Sequence, residues 1–382
     1  MARYGYAAIA ILAIGLVELA TYTVSRIYLL ERIPVLLYVP PHIDHEEWQH
    51  YLHERDPVLG WPSKRALASA EHDHSGSRPV PAYPTPGDEC VTLYGDSYTY
   101  GSEVSDAQAW GNELARRLGC RVGNFGVGGY GTDQSLLRFT GNSLDMAPVS
   151  ILGLFPVNMM RNVNQYRHLR TGDSPLGFKP RFVVDGDSLR LIPKPDPAFV
   201  ELQYLRSDLR RLLPHEAFQP GTTVGPVPFQ FPFTLTIARL LLHDQVRSWL
   251  LDRPSWMDFL DNDHSSQARQ VTTEICHRFV EECRARNKDC FVLLLPTPSS
   301  YDYYKATGRL VMEPVMADFG KQSIPHINLT PHFAEELGLR PFAEILTNYP
   351  QPGMGHFNAE GNGMVAQFVL EHLAQIDKQV GI

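Results

Sequence analysis

The chain has 382 residues, 43% of them hydrophobic and 20% charged, with a formal net charge of −8. That balance suits a folded protein with a sizeable core and excludes the low-hydrophobicity class that stays disordered. No basic stripe runs along it, which excludes nucleic acid as an expected partner.

Residues Tyr4 to Val24 are almost uniformly apolar, with Arg3 before them and Arg26 after them. At about 1.5 Å per residue they are about long enough to cross a bilayer. No small-residue cleavage signal stands out, so residues 1–28 are read as an uncleaved transmembrane signal anchor. Positive charge is nearly balanced across the span and leaves orientation open. Glu18 lies inside the span, where an ionisable group is costly and seeks a partner. A contact with another membrane protein is one reading of it; a protonated or interfacial carboxyl is the other.

Residues 29–87 form a juxtamembrane segment and neck. Ile27 to Val39 is again apolar but is broken by Glu31, Arg32 and Pro34, so it lies along the membrane surface or packs on the soluble domain. His42, His45, His50 and His53 follow among acidic residues. The run His45-Glu46-Glu47-Trp48-Gln49-His50 has one residue too many for the i, i+4 histidine pair of zinc proteases. It reads as a polar, partly helical connector, and no metal or other cofactor is expected. Prolines cluster from Pro79 to Pro86, where the neck ends.

From Asp88 onward the pattern changes. The apolar run Val91 to Tyr94 gives way to Gly95-Asp96-Ser97-Tyr98-Thr99-Tyr100-Gly101, so a buried strand would deliver Ser97 to the carboxyl-end crevice where open parallel sheets place ligands. Val122 to Gly131 is a short strand running into a glycine-rich loop that can present bare backbone N–H groups. Ser150 to Asn158 is a buried-strand pattern ending in an amide. About 130 residues then separate Asn158 from the next strand, Cys290 to Leu295, too many for one crossover. Within them Arg181 to Ile192 reads as a hairpin around Asp185-Gly186. Helical patterns follow at Phe199–Leu213, Thr234–Leu251 and Ser266–Asn287. One domain, 88–382, with an insertion at about 165–270 serving as lid, flank or edge elaboration, accounts for this. Gly355-His356-Phe357-Asn358 precedes a last helical pattern, Met364 to Ile376.

A serine hydroxyl needs an adjacent base to act as a nucleophile at neutral pH, and imidazole suits that task. Glycine N–H groups and an asparagine amide can stabilise the oxyanion of acyl transfer. The α/β-hydrolase elbow requires Gly-x-Ser-x-Gly, but Thr99 stands at the second glycine. The order serine, glycine, asparagine, histidine resembles the SGNH hydrolases, the GDSL-type esterase and acyltransferase superfamily, over roughly Asp88 to Ile382. The resemblance implies a three-layer α/β/α fold with a mostly parallel central sheet. It implies Ser97 as nucleophile and His356 as general base, with an oxyanion hole made of the Ser97 and Gly129 N–H groups and the Asn158 side chain. Asp56-Pro57-Val58-Leu59-Gly60-Trp61 and Lys179-Pro180-Arg181-Phe182 resemble a bacterial, membrane-anchored branch, which implies a catalytic domain in the periplasm.

One position departs from that pattern. The family usually places an aspartate two or three residues before the histidine, and here those positions are Met354 and Gly353. Three readings follow: a Ser–His dyad, a carboxylate supplied from elsewhere in the fold, or a site that no longer catalyses. The expected function is a membrane-anchored serine esterase or O-acyl (O-acetyl) transferase. By resemblance its substrate is an ester, O-acetylated carbohydrate first and lipid ester next. The competing class is a catalytically silent subunit that assembles with a membrane complex. Of five cysteines, Cys90 with Cys120 and Cys283 with Cys290 are placed to pair, leaving Cys276; five free thiols is the equal alternative.

Overall fold

A computed structural model describes residues 2–29, 36–186, 188–347 and 355–380. Glu31, Arg32, Pro34, Gly353 and Met354 lie outside the described residues. The strands are β1 (Leu37–Tyr38), β2 (Glu89–Tyr94), β3 (Arg121–Asn124), β4 (Val149–Leu154), β5 (Arg181–Asp185), β6 (Ser188–Ile192), β7 (Val227–Pro228), β8 (Asp289–Leu294) and β9 (His326–Asn328). The helices used below are α1 (Ala2–Val24), α2 (Trp110–Leu118), α3 (Thr132–Gly141), α4 (Phe233–Leu241), α5 (Asp244–Leu250), α6 (Ala268–Ala285), α7 (Thr330–Leu337) and α8 (Ala359–Val380). Contacts divide the chain into two compact units: residues 1–53, 164–179 and 195–255, and residues 54–163, 180–194 and 256–382.

The larger unit is built on a five-stranded sheet of order β3-β2-β4-β8-β9, parallel throughout. Its central strands carry buried apolar residues on both faces, Leu93 and Tyr94 in β2, Ile151 and Leu152 in β4, and Phe291 and Val292 in β8, as a sheet covered on both sides requires. On one face Leu93, Ile151, Phe291 and Leu293 share a core with Trp110 and Leu114 of α2, Phe333 of α7 and Val365 and Val369 of α8. On the other, Tyr94 meets Phe139 of α3 edge-on, and Phe139 meets Phe279 of α6. Helices therefore cover both faces, and the expected three-layer α/β/α arrangement is what forms. β5 and β6 pair antiparallel around Gly186, whose φ of 60° suits the tight turn. Cys90 and Cys120, at the amino ends of adjacent strands, form a disulfide, while Cys276, Cys283 and Cys290 are free. Five free thiols is thereby ruled out.

The smaller unit contains α1, the two-stranded parallel pair β1–β7, the neck helix His45–Glu54 up to His53, and α4 and α5. Among the described residues Tyr4–Ile27 is the one helix long and apolar enough to cross a membrane, and it is almost wholly exposed. Glu18, at 8% exposure, and Ser25 are the buried exceptions. The Glu18 carboxylate accepts hydrogen bonds from the Phe233 N–H at 2.5 Å, the Thr234 N–H at 3.4 Å and the Thr234 hydroxyl. The donors this carboxyl requires are therefore inside the chain, and Glu18 by itself no longer calls for another membrane protein.

Candidate active site

Ser97 lies where β2 ends and a short helical turn, Ser97–Tyr100, begins. Asp96 caps that turn: its backbone is extended and its Oδ1 accepts the Tyr98 N–H at 2.9 Å. Ser97 is half-buried, and among the described residues its N–H has no hydrogen-bond partner. The glycine-rich loop after β3 is drawn against this turn, with the Phe125 N–H on Leu93 O at 2.8 Å and the Val127 N–H on Gly95 O at 3.0 Å. Only glycine permits that approach, since a Cβ on Gly126 would stand 2.4 Å from Tyr100 N and 2.9 Å from Asp96 O. Gly129 has φ of 79°, and its N–H is likewise unpaired among the described residues. Two bare backbone donors thus belong to the segments packed together here.

Asn158 follows β4 and is 1% exposed. Its Oδ1 accepts the Phe155 N–H at 2.6 Å; its Nδ2 donates to Asp96 Oδ2 at 3.2 Å and to Tyr130 O at 3.0 Å. An amide has two N–H bonds, so both are committed here. Arg161 Nη1 donates to the same two acceptors, at 2.8 and 2.9 Å. Buried Asp96 is thereby paired with a guanidinium and tied to the glycine loop, as a buried charge requires. The sequence reading named Asn158 and passed over Asp96, Arg161 and Tyr130. Asp96 is part of the quoted Gly-Asp-Ser motif and could have been found; the other two carry no local signal.

His356 lies opposite, from the far end of the sequence. Tyr98, the neighbour of Ser97, holds it: the rings lie 4.8 Å apart, and the Tyr98 hydroxyl donates to Gly355 O at 3.1 Å. Burial raises the Tyr98 pKa, so the phenol remains a donor. His356 Nδ1 stands 2.7 Å from Glu103 Oε1. A carboxylate can only accept, so Nδ1 carries a proton, and whenever the ring is neutral Nε2 is left with its lone pair. Glu103 comes from the loop just after the Ser97 turn, at φ of 70°, a conformation uncommon outside glycine. The Thr347 hydroxyl and the His356 N–H also donate to Glu103 Oε2. Partial burial pushes the Glu103 pKa up, but the hydrogen bonds from Thr347 and His356 and the imidazole's charge outweigh it and hold the carboxyl below its ordinary value. No hydrogen bond joins Ser97 Oγ to His356 Nε2 here; such bonds commonly tighten only when substrate is bound.

The upstream motif has a place in this construction. Asp56 Oδ1 accepts the Val58 and Leu59 N–H groups at 2.8 and 2.7 Å, closing a turn at Asp56–Gly60. Trp61 Nε1 then donates to Gly128 O at 3.0 Å, and the Tyr130 hydroxyl donates to Trp61 O at 2.6 Å. The Asp56–Trp61 segment therefore buttresses the loop that carries Gly129. In the later motif, Arg181 Nη1 donates to Val163 O at 2.8 Å, which supports the end of the Asn158 helix rather than the reacting groups.

No family model and no curated protein match the chain. Solved structures do show a likeness. A member of the lipolytic G-D-S-L family from Veillonella parvula is 11% identical, with 74% of this chain and 96% of that one covered and a TM-score of 0.35. TesA is 11% identical, covering 74% and 97%, with a TM-score of 0.36. A carbohydrate esterase family 2 enzyme with its carbohydrate-binding domain, from Corynascus thermopiles, is 11% identical, covering 77% and 69%, with a TM-score of 0.33. At such scores the likeness carries no chemistry, and the function is read from the geometry above.

Proposed function

We propose that the chain is a membrane-anchored serine esterase or O-acyltransferase working through a Ser97 acyl-enzyme. The observation that carries this is the Glu103–His356 pair at 2.7 Å, clamped on the residue next to Ser97. In this reading Nε2 of His356 takes the proton as Ser97 Oγ attacks the ester carbonyl. The N–H groups of Ser97 and Gly129, joined by the Asn158 amide once substrate releases one of its bonds, receive the oxyanion. Collapse breaks the ester C–O bond, and the proton passes from His356 to the leaving alkoxide. Water or an acceptor hydroxyl then attacks the acyl-enzyme by the same steps in reverse.

Of the three readings of the missing aspartate, the geometry supports a carboxylate supplied from elsewhere, Glu103. In this proposal α1 spans a bacterial inner membrane and the larger unit is periplasmic; the Cys90–Cys120 disulfide suits such an oxidising compartment. An O-acetylated carbohydrate is the proposed substrate, on the motif resemblance. The test is full-length protein in detergent, treated with a fluorophosphonate and assayed on a short-chain aryl ester, an acetylated oligosaccharide and a long-chain lipid ester. Ser97 is expected to be labelled, with acetyl released from the oligosaccharide. The engagement of both Asn158 amide hydrogens favours a second reading, a silent subunit with a locked site. Folded protein unlabelled at Ser97 would establish it.

A further inference from the structure

The exposed apolar surface of the smaller unit does not end with α1. Phe231, Leu235, Leu241 and Leu242, before and along α4, are exposed, Leu241 at 70% and Leu242 at 74%; Leu250 of α5 is exposed at 81%. Leu235 and Leu242, seven residues apart, lie on one outward line, and Leu241 lies about 100° round from Leu242. The opposite stripe is packed: Leu240 and Ile237 share a cluster with Leu29, Leu36 and Leu37.

The level of this helix along α1 is fixed at both ends. Its first residues, Phe233 and Thr234, hydrogen-bond Glu18, and Tyr22 stacks on Phe229 and meets Phe233. Its last turn packs on Leu29 and the residues of β1. α4 therefore runs beside the second half of the apolar segment, from Glu18 to its end. Glu18 is nine residues before Ile27, the last residue of that segment, about 14 Å at 1.5 Å per residue. The charges follow the same gradient: Phe229 to Ala238 carries none, whereas Arg239, Asp244 and Arg247 come at the end level with Leu29 and Leu37.

Resting on the reading of α1 as a span, we propose that Phe229–Leu242 is a re-entrant segment in the same bilayer beside α1, with Leu235 against lipid acyl chains and Leu241 and Leu242 at the interface where the apolar segment ends. A helix that begins at membrane depth has no water for its first N–H groups, and such backbone must be satisfied by protein. Glu18 does this, taking the Phe233 and Thr234 N–H groups, and its negative charge suits the positive end of the α4 dipole. The costly carboxyl in the anchor and the exposed leucines of α4 thus have one cause.

The test uses purified full-length protein reconstituted singly in phosphatidylcholine nanodiscs, open to solvent on both sides. Leu235→Cys, Leu241→Cys, Leu12→Cys and Leu339→Cys are each treated with a membrane-impermeant maleimide, and labelling above the parent protein is divided by that reached in denaturing detergent. Leu339 is fully exposed outside these segments and gives the solvent reference. The Leu235 site is expected to lose labelling as the Leu12 site does, and the Leu241 site to fall between Leu12 and Leu339. Labelling of both at the Leu339 level, with Leu12 protected, overturns the re-entrant segment and leaves the span intact. Labelling of Leu12 as well overturns the span, and the re-entrant segment with it.

Discussion

The two sides of the candidate site are made by different means. On the Ser97 side the parts arrive at consecutive strand ends and are tied by buried bonds: Asp96, Tyr130 O, Asn158 and Arg161 form one closed set. On the His356 side Glu103 and His356 are 253 residues apart, and their side chains keep 24% and 22% exposure. In the proposed reaction the first side, tied by buried bonds, would receive the developing charge, and the second, a pair of part-exposed side chains that rests on one carboxylate in a left-handed conformation, would carry the proton.

If that division holds, the largest loss comes from the groups that exchange the proton. Ser97→Ala and His356→Ala should each lower kcat on the aryl ester by roughly 10⁴-fold or more, and the double variant should lose little beyond either one. Losses that multiply would show that the two residues do not act as a unit. Glu103→Gln comes next, with kcat expected to fall by up to about 10⁴-fold because the amide can hold the wrong imidazole tautomer. An unchanged rate would leave His356 as an unaided dyad partner and remove Glu103 from the mechanism.

Asn158→Ala sharpens the contrast on the Ser97 side. It should lower kcat by about 10²–10³-fold through the lost oxyanion donor, and stability by about 1–3 kcal/mol because Asp96 and Tyr130 lose a shared donor. Urea titration beside steady-state kinetics separates the two; a loss of stability with kcat untouched would make Asn158 a bracket alone. The smallest effect is in the pH dependence of folding. The Glu103 carboxyl is held below its ordinary value of 4.5, so its stabilising contribution is full above that pH and is lost as pH falls through the lower, folded-state value. Relative to Glu103→Gln, the native protein should therefore hold its advantage at about pH 5 and surrender it as pH falls further. If both proteins lost stability in parallel below about pH 5, the pairing would be contradicted.

The strands β2, β3, β4 and β8, the hairpin at Gly186, the last helix and the segments carrying Gly129, Asn158 and His356 were legible because each is written in a local signal: an apolar run, a turn residue or a helical period; β9, only His326-Ile327-Asn328, carries no such signal. Those signals report what a residue does to its own backbone. The long apolar helix α1 was legible for the same reason, since about twenty apolar residues in sequence need no tertiary context to be recognised. Glu103 had no such signal. A carboxylate in a polar loop reads as a solvated charge, and only the parallel sheet, by bringing the loop after β2 and the segment before α8 to one edge, puts it 2.7 Å from an imidazole. Glu18 shows the converse: the sequence determined that a carboxyl inside an apolar segment seeks a donor, because an unpaired one is costly in apolar surroundings, but it could not say whose. The fold decided that, by laying the start of α4 alongside α1, 215 residues further along the chain.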